Sequence, residues 1–131
     1  MRTLQELQEM FTGDGFVTHN GIRVEAIEPG IATAAVDVTD KHRNLLGMIQ
    51  GGLVFTLADF AFGVLANSEH EVPTVTLSGN INYLKAAKGN TLTAIAKYAN
   101  RGRTISVVNV EIYDELGTHA ASAVFTGFTM R

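Results

Sequence analysis

The sequence predicts an α+β domain in which an antiparallel sheet of five to six strands curls around one long central helix. Three observations predict it. The run Leu53–Ala66 after Gly51-Gly52 places apolar side chains on every helical face, the pattern of a helix buried on all sides. Four later stretches alternate apolar and polar residues at the period of a strand. With 131 residues, 46% of them hydrophobic, the chain is the size of one domain, 1–131, and can bury a core.

Each element follows from its residues. Thr3 caps a short amphipathic helix to Phe11, with Glu6 three residues on and Leu4, Leu7 and Phe11 as its stripe. Gly13-Asp14-Gly15 ends it. Strands are expected near 21–28 and 31–38 around a Pro29-Gly30 turn, then a loop from His42 to Gln50 and the central helix from Gly51 to Asn67. Residues 74–86 alternate Val75, Leu77, Gly79, Ile81 and Tyr83 on one face. Residues 91–100 alternate Leu92, Ala94, Ala96 and Tyr98; 103–113 align Ser106, Val108, Val110 and Ile112; 118–129 align Ala121, Ala123, Phe125 and Gly127. Gly89-Asn90, Arg101-Gly102 and Glu115-Leu116-Gly117 supply the turns. One helix covers one face of such a sheet. The other face carries Ile95, Ile105, Val107 and Tyr113, so oligomerisation is expected to cover part of it.

Composition excludes several classes. Without Cys there are no disulfides, which fits a reducing, cytoplasmic compartment. No basic segment followed by an apolar stretch opens the chain, so no export signal is expected. The longest apolar stretch is too short to span a bilayer. A formal net charge of −3 argues against nucleic acid as a partner. His19, His42, His70 and His119 lack ligand spacing, so no metal is expected. No Gly-x-Ser-x-Gly elbow and no phosphate loop occurs. Charge placement is more telling. No acid lies between Glu71 and Glu111, while Lys85, Lys88, Lys97, Arg101 and Arg103 do, a locally cationic surface suited to a polyphosphate.

Asp59 is the first candidate for chemistry. It stands inside the apolar helix with no Lys or Arg within a turn, and burying an unpaired carboxylate costs several kcal/mol. Gly51 and Gly52 open the same helix, where backbone N–H groups lack intrahelical partners and the dipole adds partial positive charge. Asp59 follows Gly51 by eight residues, about 12 Å along the axis at 1.5 Å per residue. One reacting centre would not meet both groups of one chain. Two helices packed antiparallel across a two-fold axis would bring Asp59 of one protomer to Gly51 of the other.

These residues resemble a known family. Asn44-Leu-Leu-Gly47-Met-Ile-Gln50-Gly51-Gly52, then Leu57-Ala58-Asp59-Phe-Ala-Phe and Ala66-Asn67-Ser68, are similar to the hotdog-fold acyl-CoA thioesterases, nearest the phenylacetate-pathway type. Tyr83-Leu84, Arg101-Gly102-Arg103 and the Asp114-x-x-Gly117 hairpin also fit, so the resemblance covers roughly residues 20–130. The family pattern has His where this chain has Gln50; Gln still donates a hydrogen bond but carries no proton or charge.

The resemblance implies thioester hydrolysis of small acyl-CoAs, aromatic or short-chain, with the CoA thioester as substrate and no further cofactor. It implies Gly51 N–H as oxyanion donor, with Asn44 and Gln50 nearby. Asp59 either attacks the carbonyl or activates water. Thr56 or Thr74 is a candidate to hold the carboxylate or the water. Gly52, Phe55 and Phe62 are candidates to line the acyl pocket, and Gly63 leaves room there. Arg101 and Arg103, then Lys85 and Lys88, are candidates for the CoA phosphates, because guanidinium forks match phosphate geometry. Asn80 and Asn82 are candidates for the pantetheine amides. The implied assembly is a dimer with shared sites and a tetramer built from it. Gln50 motivates one alternative, a non-catalytic acyl-CoA-binding module. A hydratase reading lacks the His it needs beside the helix.

Overall fold

The structure is a computed structural model that describes residues 1–69 and 71–131; His70 lies outside the described residues. Among the described residues, three α-helices, α1 (Leu4–Phe11), α2 (Gly15–His19) and α3 (Gly51–Ala66), and a short 3-10 turn (Asp40–His42) accompany six strands. The strands are β1 (Arg23–Glu28), β2 (Ile31–Asp37), β3 (Thr74–Tyr83), β4 (Thr91–Arg101), β5 (Ile105–Asp114) and β6 (His119–Thr129). They form one sheet in the order β1-β2-β4-β5-β6-β3, antiparallel throughout. Helix α3 packs across the sheet against all six strands. This is the hotdog architecture. No helix among the described residues is long and apolar enough to cross a membrane.

The sheet can hold a helix this closely because many of its inward positions are small. Ala32, Ala34, Ala94, Ala96, Ala121 and Ala123 are buried beneath Leu57, Ala58, Ala61, Val64 and Leu65. The larger inward residues Leu92, Val108, Val110 and Ile112 fill the remaining space. Two glycines admit aromatic rings. A Cβ at Gly127 would stand 2.6 Å from the Phe62 ring, and one at Gly79 would stand 2.5 Å from Phe125. Phe62 stacks on Phe125 with ring centres 5.6 Å apart, and Phe55 tilts against it at 5.4 Å.

The capping box of α1 forms as its sequence predicts, with Thr3 Oγ1 accepting the Glu6 N–H and Glu6 Oε1 accepting the Thr3 N–H. Three features differ from expectation. Gly13-Asp14-Gly15 does not merely end α1: Asp14 accepts the Val17 N–H at 3.1 Å and starts α2, a helix too short to show a period. Strand β3 ends at Tyr83, and a bulge between Thr76 and Ser78 breaks its alternation. Thr76 therefore pairs opposite the inward-facing Gly127, while Val75 and Leu77 are exposed. Finally, α3 is not covered on every side. Gly52, Phe55, Thr56, Asp59 and Gly63 form a stripe at helical spacing that the chain leaves partly open.

Candidate active site

The loop before α3 is organised by its own side chains. Asn44 Oδ1 accepts the Leu46 and Met48 N–H groups at 2.9 and 3.1 Å, and Gly47 takes a left-handed φ of 76° to close the turn. His42 is 3% exposed; its Nδ1 accepts the Thr39 N–H at 3.0 Å and its carbonyl accepts the Gln50 N–H at 2.8 Å. Burial, then the charge on Lys41, pushes the imidazole pKa down. A histidine does stand beside the helix start, then, but it is enclosed and engaged with Thr39. Asn44 likewise spends its side-chain oxygen on the loop.

That loop delivers Gln50 as the N-cap and Gly51 as the first residue of α3. The Gln50 side chain makes no capping bond and is exposed. Tyr83 donates its hydroxyl to the Gly51 carbonyl at 2.8 Å. Its ring is so close that a Cβ on Gly51 would stand 3.2 Å from the phenol oxygen. Gln50, Gly51, Gly52, Tyr83, Arg43 and Lys85 share the lining of a cavity of about 560 Å³ with apolar residues of the loop and of the segment after β3. A bare helix N-terminus in a partly apolar cavity has the donors and the dipole to receive an anion.

Asp59 belongs to a different cavity, of about 310 Å³, lined also by Thr56, Phe60, Gly63, Thr74 and Thr76. It is half-buried in the chain, not enclosed as the apolar run implies. Thr76 donates its hydroxyl to Asp59 Oδ1 at 2.7 Å. The two threonines considered from sequence are engaged elsewhere. Thr56 bonds back to the Gly52 carbonyl at 2.8 Å, and the Thr74 hydroxyl pairs with that of Thr129 at 2.9 Å. The bulge is what aims Thr76, and an alternation pattern carries no trace of it.

Other predicted residues separate. Phe62, though 1% exposed, still reaches the lining of the Asp59 cavity, while Phe55 packs on Phe125 and lines neither cavity. Asn82 pairs opposite Ser122 with its neighbours on the outer face. Arg101 forms an ion pair with Glu69 and lies over the Tyr98 ring, at the α3 C-terminal side, away from the Gly51 end. Arg103 is exposed, its carbonyl accepting from Arg131. Lys88 is exposed on a loop tied to Asp114, whose Oδ2 accepts the Lys88 and Gly89 N–H groups at 2.8 and 3.0 Å. Asp114 Oδ1 accepts from Leu116 and Thr118. Burial works to raise the Asp114 pKa, but the Gly89, Thr118 and Lys88 donors outweigh it and hold the carboxyl well below the usual range. Among the described residues no three His, Cys, Asp or Glu side chains cluster as a metal site.

The helix that the hotdog sheet wraps thus carries bare N–H groups at its start and a carboxylate two turns on. The model of the thioesterase superfamily matches residues 46–121, and the chain belongs to that superfamily. It is 30% identical to the acyl-coenzyme A thioesterase PaaI of Escherichia coli K12, over 85% of this chain and 79% of that one. It is 31% identical to a putative esterase of Deinococcus radiodurans over 70% of this chain, a match that spans 62% of that relative. Among solved structures, the E. coli PaaI protein of the phenylacetic acid degradation operon superposes with a TM-score of 0.89 at 26% identity, covering 97% of this chain and 92% of that one. The smu.793 protein of Streptococcus mutans UA159, solved bound to acetyl CoA, gives 0.77 at 34% identity over 83% and 88% of the two chains.

Proposed function

We propose that this thioesterase hydrolyses acyl-CoA thioesters of small acyl groups, aromatic ones such as phenylacetyl or short to medium chains, releasing the free acid and CoA. The observation that carries the reading is the division of labour along α3. A carboxylate and a bare helix N-terminus, both needed by one thioester carbon, line separate cavities about 12 Å apart along the axis. A two-fold axis that sets two α3 helices antiparallel joins each Asp59 to the partner's Gly51 and yields two sites per dimer. Two features favour that packing. The open stripe of α3 contains Asp59. Strand β3 is a sheet edge of ten residues without a charge, which invites pairing with a second copy. Exposed Ile105, Val124 and Phe128 on the outer face support a further pairing of dimers into a tetramer.

In the joined site Gly51 N–H takes the developing oxyanion, a contribution of about 2.7–4 kcal/mol for one donor. Gln50 adds a neutral donor. Asp59, held through Oδ1 by Thr76, keeps Oδ2 for the reaction. It either attacks the carbonyl to give an anhydride that water opens, or deprotonates the attacking water; CoA leaves as the thiol in both. Lys85 and Arg43 flank the Gly51 cavity for the phosphates, and an antiparallel partner would turn its α3 C-terminal side, where Arg101 lies, toward that cavity. CoA enters as substrate, and the chemistry calls for no other cofactor. The absence of Cys suits the reducing cytoplasm, and the relationship to PaaI suits breakdown of phenylacetic acid.

The test is thiol release over a panel of acyl-CoAs. Asp59→Ala is expected to lower it by about 10³-fold with the fold intact, the size of a lost general base or nucleophile. The uncharged Gln50 favours one other reading, an acyl-CoA-binding module. Binding without turnover in the wild type would establish that module instead.

A further inference from the structure

The wall of the Asp59 cavity is not made by α3 and β3 alone. Phe11, Asp14, Phe16 and Val17 complete it, all from α1, α2 and the turn between them. These residues lie outside the span, 46–121, that matches the family model. We propose that this N-terminal corner selects the acyl group, with Phe16 as the specificity-determining side chain for neutral, apolar and especially aromatic acyl chains. The inference rests on the proposed role of Asp59.

Three observations support it. First, Phe16 is 66% exposed although it is a large aromatic ring on a five-residue helix. Its neighbour Val17 is buried, and so is Leu7 on α1, so these helices already have an anchor and do not need Phe16 for it. A ring held at the rim of a cavity that contains the reacting carboxylate is placed to meet substrate. Its position is firm, because Asp14 caps α2 and Phe11 packs edge-on against Phe60 of α3 with ring centres 5.0 Å apart.

Second, Gly63 lies one turn beyond Asp59 in the same lining, and a Cβ there would meet nothing within 4 Å. Free space therefore continues past the carboxylate. Phe11, Phe16 and Phe60 line it with Gly63, so the acyl chain meets ring faces and edges.

Third, the lining holds two carboxylates, Asp14 and Asp59, and no Lys, Arg or His. Asp14 accepts the Val17 N–H as an N-cap, which holds its carboxylate in place beside the acyl group. A second carboxylate on the substrate would face like charge without a counterion.

The experiment compares kcat/KM for phenylacetyl-CoA and acetyl-CoA in the wild type, Phe16→Ala and Phe16→Tyr, with butyryl-CoA and succinyl-CoA as a second pair for the wild type. Acetyl, the smallest acyl group of the panel, serves as the internal reference. Phe16→Ala should lower the phenylacetyl-to-acetyl ratio about tenfold and leave acetyl-CoA turnover and the melting temperature unchanged. Phe16→Tyr should keep the wild-type ratio. The wild type should prefer butyryl-CoA to succinyl-CoA by at least about tenfold. An active Phe16→Ala enzyme with the wild-type ratio, or equal turnover of succinyl- and butyryl-CoA, overturns the inference. Failure of the catalytic reading would look different: all four substrates would be hydrolysed as well by Asp59→Ala as by the wild type.

Discussion

At its first turn α3 offers bare N–H groups to a cavity of about 560 Å³, flanked by Tyr83, Lys85 and Arg43. Two turns later it offers a carboxylate to a cavity of about 310 Å³, walled by phenylalanines and threonines and containing no cation. The first end is fixed by several side chains bonded to backbone: Asn44 and His42 within the loop and Tyr83 on the Gly51 carbonyl. The second is fixed by one side chain, Thr76, from a bulged strand. The first end suits an oxyanion and phosphates, and the second suits a neutral acyl group and an attacking oxygen. The contrast teaches that the two ends of α3 differ in chemistry, and under the proposed antiparallel pairing each end would complete the other's site.

The sharpest way to break that comparison is complementation. A purified heterodimer of one Asp59→Ala chain and one Gly51→Val chain keeps one intact pairing, Asp59 of the second chain with Gly51 of the first. It is expected to recover about half the wild-type turnover, while each homodimer stays inactive. A heterodimer as inactive as its parents would place both groups of a working site in one chain. The next largest effect concerns Thr76. Removing its hydroxyl with Thr76→Val costs a hydrogen bond to a carboxylate, about 1.5–3 kcal/mol, or roughly 10- to 100-fold in kcat. Thr76→Ser should restore the rate. If Thr76→Val keeps the wild-type kcat, the hydroxyl does not hold Asp59 for reaction.

The two ends also differed in how far the sequence revealed them. Gly51-Gly52 and Asp59 are legible because each violates a local expectation: glycines at a helix start and a charge in an apolar run. The fold was legible because strands β4, β5 and β6 alternate over most of their length, and most of their buried residues fall where the period puts them. Thr76 was hidden because the bulge moves it to the inward face, and a bulge has no compositional signature in Thr76-Leu77-Ser78. Tyr83 was legible only as a strand residue; its partner is a backbone carbonyl 32 positions away. The half-open stripe of α3 was hidden for another reason. Phe55 and Gly63 count as apolar in any periodicity, yet they mark the side that the chain leaves uncovered.

A smaller effect, on stability, separates the phosphate side from the acyl side. The Asp114 carboxyl holds the Lys88–Gly89 loop and its own hairpin, and its pKa is depressed in the folded state. A depressed folded pKa means that the ionised form favours folding. This contribution is full above the ordinary carboxylate pKa of about 3.9 and is lost as pH falls from there toward the folded value. Thermal melting from pH 6 down to pH 3 should therefore show a steeper loss for the wild type than for Asp114→Asn, which starts from a lower melting temperature at pH 6. Parallel curves would remove Asp114 as the anchor of that loop.

The smallest expected effect is at Gln50, and it tests whether the oxyanion end works by neutral donation alone. Gln50 has no capping bond and lines the Gly51 cavity, so its amide is free to meet a thioester oxygen. Glutamine does not titrate, so residue 50 leaves no inflection in the wild-type pH profile. Gln50→His places an imidazole at the positive end of a helix dipole, which disfavours its protonation and moves its pKa below the ordinary value of about 6.5. Above that pKa the neutral ring donates one hydrogen bond, much as the amide does. Below it the imidazolium donates a charge-assisted bond worth about 1 kcal/mol more, or about fivefold in kcat/KM. The variant should therefore match the wild type at pH 8 and gain over it as pH falls through the imidazole pKa. If the two profiles superpose at every pH, residue 50 does not touch the reacting carbonyl, and Gly51 N–H carries the oxyanion without it.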